Sequence, residues 1–466
     1  MSTEAKFLTG SPLRHVIVMS ATSSVGLMAV FVVDLVDMLF ISMLGQAELA
    51  AAIGYAGAIL FLTTSVSIAM AIAAGALVAR NLGAGDEERA RQLATHVMVY
   101  GFVLSVVFAS IVWINIETLA ALMGAEGETL RLASMYLSII IPSMPLLMLG
   151  MAGSAVLRAH GDARRSMLAT VGGGLVNAVL DPILIFGLNL DLAGAALASV
   201  AARVAIMVLA LWPVVRIYKG LAPFQMSAFA KDLSAITNLA APAMMTNLAT
   251  PIGSAYVTRA MAEFGEAAVA GMAIVGRLTP VAFALIFALS GAVGPIIGQN
   301  FGAKLMDRVR ETFKDALVFT GLYVLFAALL LFLLRAPIAD MFGATGETRE
   351  LVYLFCGPLA LAWFFNGVIF VGNAGFNNLG HPLYSTGINW GRNTLGTIPF
   401  VAAGAALFGA PGVLIGQAAG GVIFAGLSQF FAQRLLRQIS SGEVEHKERP
   451  HFSRRARLLQ LFEHRR

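Results

Sequence analysis

Long uncharged apolar runs alternate along this chain with short polar segments rich in arginine or acidic residues. Val16–Val33, Leu49–Ala79, Val97–Ile116, Leu132–Leu157, Leu233–Thr258, Leu278–Ala303 and Ala316–Leu334 each run for at least 18 residues without a charge. A soluble domain has no use for such runs, whereas a helix crossing about 30 Å of hydrocarbon needs roughly 20 apolar residues. The Ser166–Leu188 and Leu192–Val215 segments extend the series, and Leu351–Gly391 and Asn393–Gln433 are each long enough for two crossings. The pattern predicts an all-α polytopic membrane protein, taken as twelve transmembrane helices although the runs leave length for a thirteenth. Composition agrees: 58% of the 466 residues are hydrophobic and 12% charged, about half the charged share of a soluble domain.

The polar segments set the topology, since cytoplasmic loops collect Lys and Arg. Loops on one side carry Arg80, Arg89 and Arg91, then Arg158, Arg164 and Arg165, then Arg216, Lys219 and Lys231, then Lys304, Arg308, Arg310 and Lys314. The other side has only Arg131, Arg259, Arg335 and Arg349, set among acids. Both termini are therefore expected on the cytoplasmic face of a bacterial-type inner membrane. The first apolar run lacks a short core followed by a cleavage site, so it reads as a retained helix. Much of the net charge of +5 lies in residues 438–466, a basic tail suited to anionic lipid rather than to nucleic acid. Cys356 stands alone, which rules out an intrachain disulfide.

The chain also repeats itself. Met123–Thr129 (MGAEGET) recurs as Phe342–Thr348 (FGATGET), and Asn81–Arg91 recurs as Asn300–Arg310, both at an offset of 219 residues. Two units follow, residues 1–219 and 220–437, each a six-helix bundle. An even number of crossings returns each repeat to the same side, so the pseudo-two-fold axis runs along the membrane normal, with a cleft between the bundles. Prolines at 142, 145, 242, 251, 280 and 295 are candidate kinks.

Charges at depth are the candidate chemistry. The first half holds Asp34, Asp37, Asp181 and Arg203, and the second half Arg277 and Arg392 with no deep carboxylate. Counting the helical rise from the span ends sets Asp37, Asp181 and Ser199 in one layer, with Asn177 a turn deeper and Tyr136 approaching from the outer end. Asp34 and Arg203 sit about a turn below, and a buried ion pair between them would leave Asp37 and Asp181 as neighbouring carboxylates without a fixed cation. Such a pair shares a proton or takes a cation. The competing reading of Asp181 is a helix-bend device at the Asp181–Pro182 step, its oxygen bonded to a freed backbone donor. Arg277 and Arg392 read as packed against carbonyls or snorkelling.

Val36–Ala51 (VDMLFISMLGQAELAA), Val156–Met167 (VLRAHGDARRSM) and Asn177–Ser199 (NAVLDPILIFGLNLDLAGAALAS) resemble multidrug and toxic compound extrusion transporters, over about residues 10 to 437 and nearest the DinF-type branch. The resemblance implies a cation-coupled antiporter with two six-helix bundles around a V-shaped cleft. It also implies coupling roles for Asp37, Asn177, Asp181, Tyr136 and Ser199, with Asp37, Asn177 and Asp181 as the sodium position if sodium is the ion. The acids that make a second-half cation site in NorM-type relatives are missing here, as is a proline in the first helix after Pro12.

The expected activity is proton- or sodium-coupled efflux of amphipathic compounds, cationic or zwitterionic, by a monomer with no cofactor beyond the coupling ion. The nearest alternative is a lipid-linked oligosaccharide or lipid II flippase. An intramembrane enzyme is disfavoured, because His15, His96, His160 and His381 lie near span ends without ligand-spaced partners.

Overall fold

A computed structural model describes residues 5–44 and 47–441. The basic tail from residue 442 onward lies outside the described residues. The described chain is helical throughout, and ten stretches are long and apolar enough to cross a bilayer.

In the first half, α1 is Pro12–Met43, α2 Ala47–Gly83 and α3 Glu87–Ile114. Helix α4 joins Gly127–Ile140 to Met144–Ala159 through the 3-10 turn Ile141–Ser143. Helix α5 is Ala163–Pro182, continued by the π turn Ile183–Gly187, and α6 is Asp191–Arg216. In the second half, α7 is Met226–Ala262, α8 Glu266–Gly302 and α9 Met306–Met341. Helix α7 is 37 residues long but more polar than the other crossings. Helix α10 joins Gly346–Leu354 to Ala360–Asn378 through the π turn Phe355–Leu359.

The last apolar stretch, Pro382–Ser440, is two crossings. Helix α11 consists of Pro382–Asn393 and residues 398–408; α12 is residues 410–440. Between them Gly409 takes φ 67°, ψ −145° and reverses the chain, a conformation open to glycine because it lacks a Cβ. The tracts Leu351–Gly391 and Asn393–Gln433 therefore share three crossings, not two each. Chain length allowed four, but the positive φ that reverses the chain falls at Gly409, inside the second tract.

The repeat is visible in backbone geometry. Left-handed residues recur at the same offset of 219: Gly85 with Lys304, Gly124 with Gly343, Gly127 with Gly346 and Gly161 with Gly380. The same turns thus connect corresponding helices in both bundles. On one side, Asp86 and Asp162 cap α3 and α5, accepting from the backbone N–H of Arg89 and Arg165.

The bundles meet at their arginine-rich ends, and the joint is reciprocal. Gly83 at the end of α2 lies against the backbone of Gln299, and Gly302 at the end of α8 lies against that of Arg80; a Cβ at either glycine would overlap the opposing carbonyl oxygen. Hydrogen bonds follow the same two-fold. Arg80 donates to the Asn378 carbonyl at 3.1 Å, and Gln299 Nε2 donates to the Ala159 carbonyl at 2.7 Å. Arg80 corresponds to Gln299, and Ala159 to Asn378, at the repeat offset.

A second tier lies outside this one. Arg89 on α3 grips Asp232 on α7, donating from Nη1 at 2.9 Å, while His96 Nδ1 sits 2.7 Å from the same carboxylate oxygen. Its counterpart Arg308 donates to the carbonyls of Phe7 and Gly10, ahead of α1, at 2.9 and 3.0 Å.

Burial pushes the Asp232 carboxyl up, but Arg89 and His96 more than offset this and hold it below the usual carboxylate range. A depressed folded-state pKa gives a contribution present above the unfolded value, near 3.9, and lost only as pH falls through the folded one. This tie is therefore expected to be unchanged between pH 8 and pH 5. Asp232→Asn should cost about 2 kcal/mol, from the hydrogen bonds to charge that it weakens. Thermal unfolding in detergent across that pH range checks both points: a wild-type midpoint that drops towards pH 5 by as much as the variant's deficit would contradict them.

Candidate functional site

Asp37 lies on α1, and Asn177 and Asp181 on α5. Glycines let these helices approach: a Cβ at Gly173 would strike Ile206 and approach the Ala202 carbonyl on α6, and one at Gly174 would press on Val33 of α1. Helix α5 is thereby seated between α1 and α6, with the 177–181 face turned towards Asp37.

The three polar groups form one bonded unit. Asn177 Nδ2 donates to both Asp37 oxygens at 3.0 and 3.2 Å, and to Asp181 Oδ2 at 2.7 Å. Asp37 is within hydrogen-bonding reach of Asp181. Asp181 is fully buried and Asn177 nearly so, whereas Asp37 is half-exposed. The other Asp181 oxygen, Oδ1, is buried with no hydrogen-bond partner among the described residues. Leaving such an acceptor unsatisfied costs about 1–3 kcal/mol, more when it is charged. The helix-bend reading of Asp181 fails here, because its one bonded oxygen takes a side-chain amide rather than a backbone donor. Pro182 closes the α-helical part of α5, and the π turn Ile183–Gly187 follows it.

Tyr136 on α4 is nearly buried beside Ser199 of α6, within electrostatic reach of Asp37, Asp181 and Arg203. Asp37, Asp181 and Ser199, expected in one layer, thus come together with Asn177, expected a turn deeper, and Tyr136, expected to approach from the outer end. The expected Asp34–Arg203 ion pair is absent among the described residues. Arg203 instead donates to the Ile140 carbonyl at 2.9 Å and to Ser143 Oγ at 2.8 Å. Its attraction there is the 3-10 turn between Pro142 and Pro145, where the α-helical ladder is interrupted. Trp113 serves the same bend by donating to the Ser138 carbonyl at 3.1 Å, which Pro142 cannot reach for want of an N–H. Asp34 is exposed, and the charge acting on it is that of Asp37.

The donor set bears on the ion. An ionised carboxylate only accepts hydrogen bonds, so the amide that bridges two of them must face both through its nitrogen. Asn177 is therefore a hydrogen-bond donor to the pair, and its amide oxygen is not offered to a metal ion held between the carboxylates.

Sequence reasoning used Arg80 only as a topology marker and passed over Gln299, although both stand in the repeated loops at the shared offset. The signal was present in the alignment of the halves; what they touch was not.

The MatE family model matches residues 23–183 and again 242–403, once in each half of the fold. The chain belongs to this family of transporters. Among curated relatives, a protein described as an FAD transporter from Shewanella oneidensis is 26% identical over 441 residues, spanning 93% of this chain and 97% of its own. The multidrug export protein MepA of Staphylococcus aureus is 25% identical over 352 residues, 74% of this chain and 77% of its own. Among solved structures, a Vibrio cholerae MATE transporter, VcmN, superposes with a TM-score of 0.86 at 25% identity, covering 92% of this chain and 97% of that one. A Pyrococcus furiosus transporter of the MOP superfamily has the same fold, with a TM-score of 0.87 at 21% identity. This MatE chain is thus a multi-pass membrane transporter with the family's twelve-helix architecture.

Proposed function

We propose that this MatE transporter is a proton-coupled antiporter that extrudes amphipathic organic compounds by alternating access. The observation that carries the reading is the Asp37–Asn177–Asp181 unit, with one buried Asp181 oxygen unpartnered. Two carboxylates this close cannot both stay ionised without cost, and a proton taken between them removes both the repulsion and the orphaned acceptor. Asp37, half-exposed, is the entry point; Asp181, fully buried, is the acceptor that makes uptake sensitive to helix packing.

With the bundles joined at the arginine-rich ends, we take this conformation to be the one open on the opposite side. We assign the arginine-rich ends to the cytoplasm of a bacterial inner membrane, so the cleft faces outward, as a proton-receiving, substrate-releasing state requires. Protonation neutralises the α1–α5 contact, and the N-terminal helices are then free to repack. Antiport follows when proton and substrate favour opposite conformations, because a ligand shifts an equilibrium only by its differential affinity for the two states. The names of the MepA and FAD-transporter relatives fit an organic cargo. We take the working unit to be the monomer.

Proteoliposomes loaded with ethidium and given either a proton or a sodium gradient test this. The expected result is release driven by the proton gradient alone. Release under sodium alone would refute proton coupling, and release without any gradient would mark a channel.

A further inference from the structure

Three arginines, Arg203, Arg277 and Arg392, are expected at depth in the membrane crossings. Arg203 is tied to the α4 bend. The other two, Arg277 on α8 and Arg392 on α11, make no hydrogen bond or ion pair from their side chains among the described residues. Of the two expected readings, packing against carbonyls is not seen among the described residues, and snorkelling stays open for the exposed Arg277. Arg277 is exposed and Arg392 half-buried. Arg392 stands ten residues into α11, about 15 Å from its end at the helical rise. A guanidinium at that depth is costly unless an anion or a set of acceptors meets it, and the second half contains no deep carboxylate.

The surroundings of Arg392 are ordered. On α11, Ser385, Asn389 and Arg392 follow one another at helical spacing on one face. Asn389 Nδ2 donates to Asn373 Oδ1 of α10 at 3.0 Å, and Ser385 Oγ donates to Asn377 Oδ1 at 3.3 Å. In this antiparallel pair 389 meets 373 and 385 meets 377, so the same register sets Arg392 level with Phe370. Phe370 belongs to a run of half-buried rings: its centroid is 5.7 Å from that of Phe287, which lies 5.6 Å from Trp363 and 6.3 Å from Phe31 of the other bundle. Helix α11 breaks immediately beyond Arg392, between Asn393 and Ile398. A broken helix at mid-depth is where transporters of repeated topology hold their ligands.

We infer that Arg392 is the anion-binding element of the substrate site, and that the cargo is an aromatic or otherwise amphipathic compound carrying a phosphate or carboxylate. The guanidinium meets the anionic group, and the Phe370–Phe287–Trp363 rings meet the apolar body. The two bundles then divide the labour by charge: carboxylates in the first take the proton, and arginine in the second takes the cargo. This rests on the transport reading above and adds an anionic cargo to the cationic ones, such as ethidium, expected there. Arginine suits the task because its planar fork offers paired donors to phosphate or carboxylate oxygens.

Flavin mononucleotide and riboflavin are the probes, because they share one ring system and differ by a phosphate. Fluorescence binding to the purified full chain should give the mononucleotide an affinity at least about tenfold higher, as expected for a charge-assisted pair in a partly desolvated site. Arg392→Gln should bring the mononucleotide down to the riboflavin level and leave riboflavin unchanged, with Arg392→Lys intermediate. Should the glutamine variant not fold, salt titration of the wild type substitutes: rising ionic strength must weaken the mononucleotide and not riboflavin. Equal wild-type affinities, or equal losses of both probes in the variant, would overturn the site. Wild type that expels ethidium down a proton gradient yet ignores the mononucleotide overturns the anion site alone. Phosphate-dependent binding with no gradient-driven flux supports the site and overturns the transport reading.

Discussion

Asp181→Asn abolishes proton-driven efflux while leaving the protein folded. The substitution keeps size and shape but removes the acidic proton, so the 177–181 unit holds a neutral amide where the coupling site needs an acid. Protonation then no longer distinguishes the two conformations, and without differential affinity a gradient moves nothing. The variant should lose at least about tenfold in initial rate under a pH gradient, since the coupling free energy comes from that differential affinity. Asp37→Asn should behave the same way, because Asn177 bonds both carboxylates and the pair acts as one group. Solute movement in proteoliposomes, with melting temperature as the fold control, reads both effects. Full proton-driven flux in either variant would return Asp181 to a structural role.

The second large effect is conformational. Gly302→Val forces the Arg80 carbonyl away from the end of α8, and Gly83→Val does the same to Gln299 at the end of α2. Overpacking of this kind costs about 1–3 kcal/mol, between about fivefold and 150-fold in the ratio of closed to open ends. The change falls on contacts between bundles, so opening relieves the strain, and the bundles themselves need not unfold. Spin labels at Glu88→Cys and Asp307→Cys, exposed residues related by the repeat offset, report the separation. Gly276→Ala is the control, since a Cβ there meets nothing within 4 Å. The expected result is a longer-distance population in either valine variant and none in the control. Identical distance distributions in all three would mean that these glycines do not govern the closed ends.

Much of the site was legible before any coordinates. Asp37, Asp181 and Ser199 could be brought to one layer, and Asn177 and Tyr136 to its two sides, from helical rise alone, because depth in a membrane helix is linear in sequence. Depth does not give direction, and the errors lie there. Asp34 and Arg203 share a level but not a partner: the bend between Pro142 and Pro145 offers Arg203 an acceptor at 2.9 Å, and a backbone bend leaves no mark on a hydropathy profile. Likewise Arg392 has the right depth to snorkel or pack, yet only the register of α11 on α10, set by Asn389 with Asn373 and Ser385 with Asn377, brings it level with Phe370.

The amino-acid sequence by itself determined that this chain is a membrane protein of paired six-helix halves, because apolar length, arginine placement and a 219-residue repeat are properties of the chain read in one dimension. The tertiary structure decided which charges meet. Contacts such as Arg80 with Asn378 and Gln299 with Ala159 join residues 298 and 140 positions apart. No local pattern encodes them: they exist because two glycines let the helix ends close to backbone contact, and only the folded pair of bundles brings those ends together.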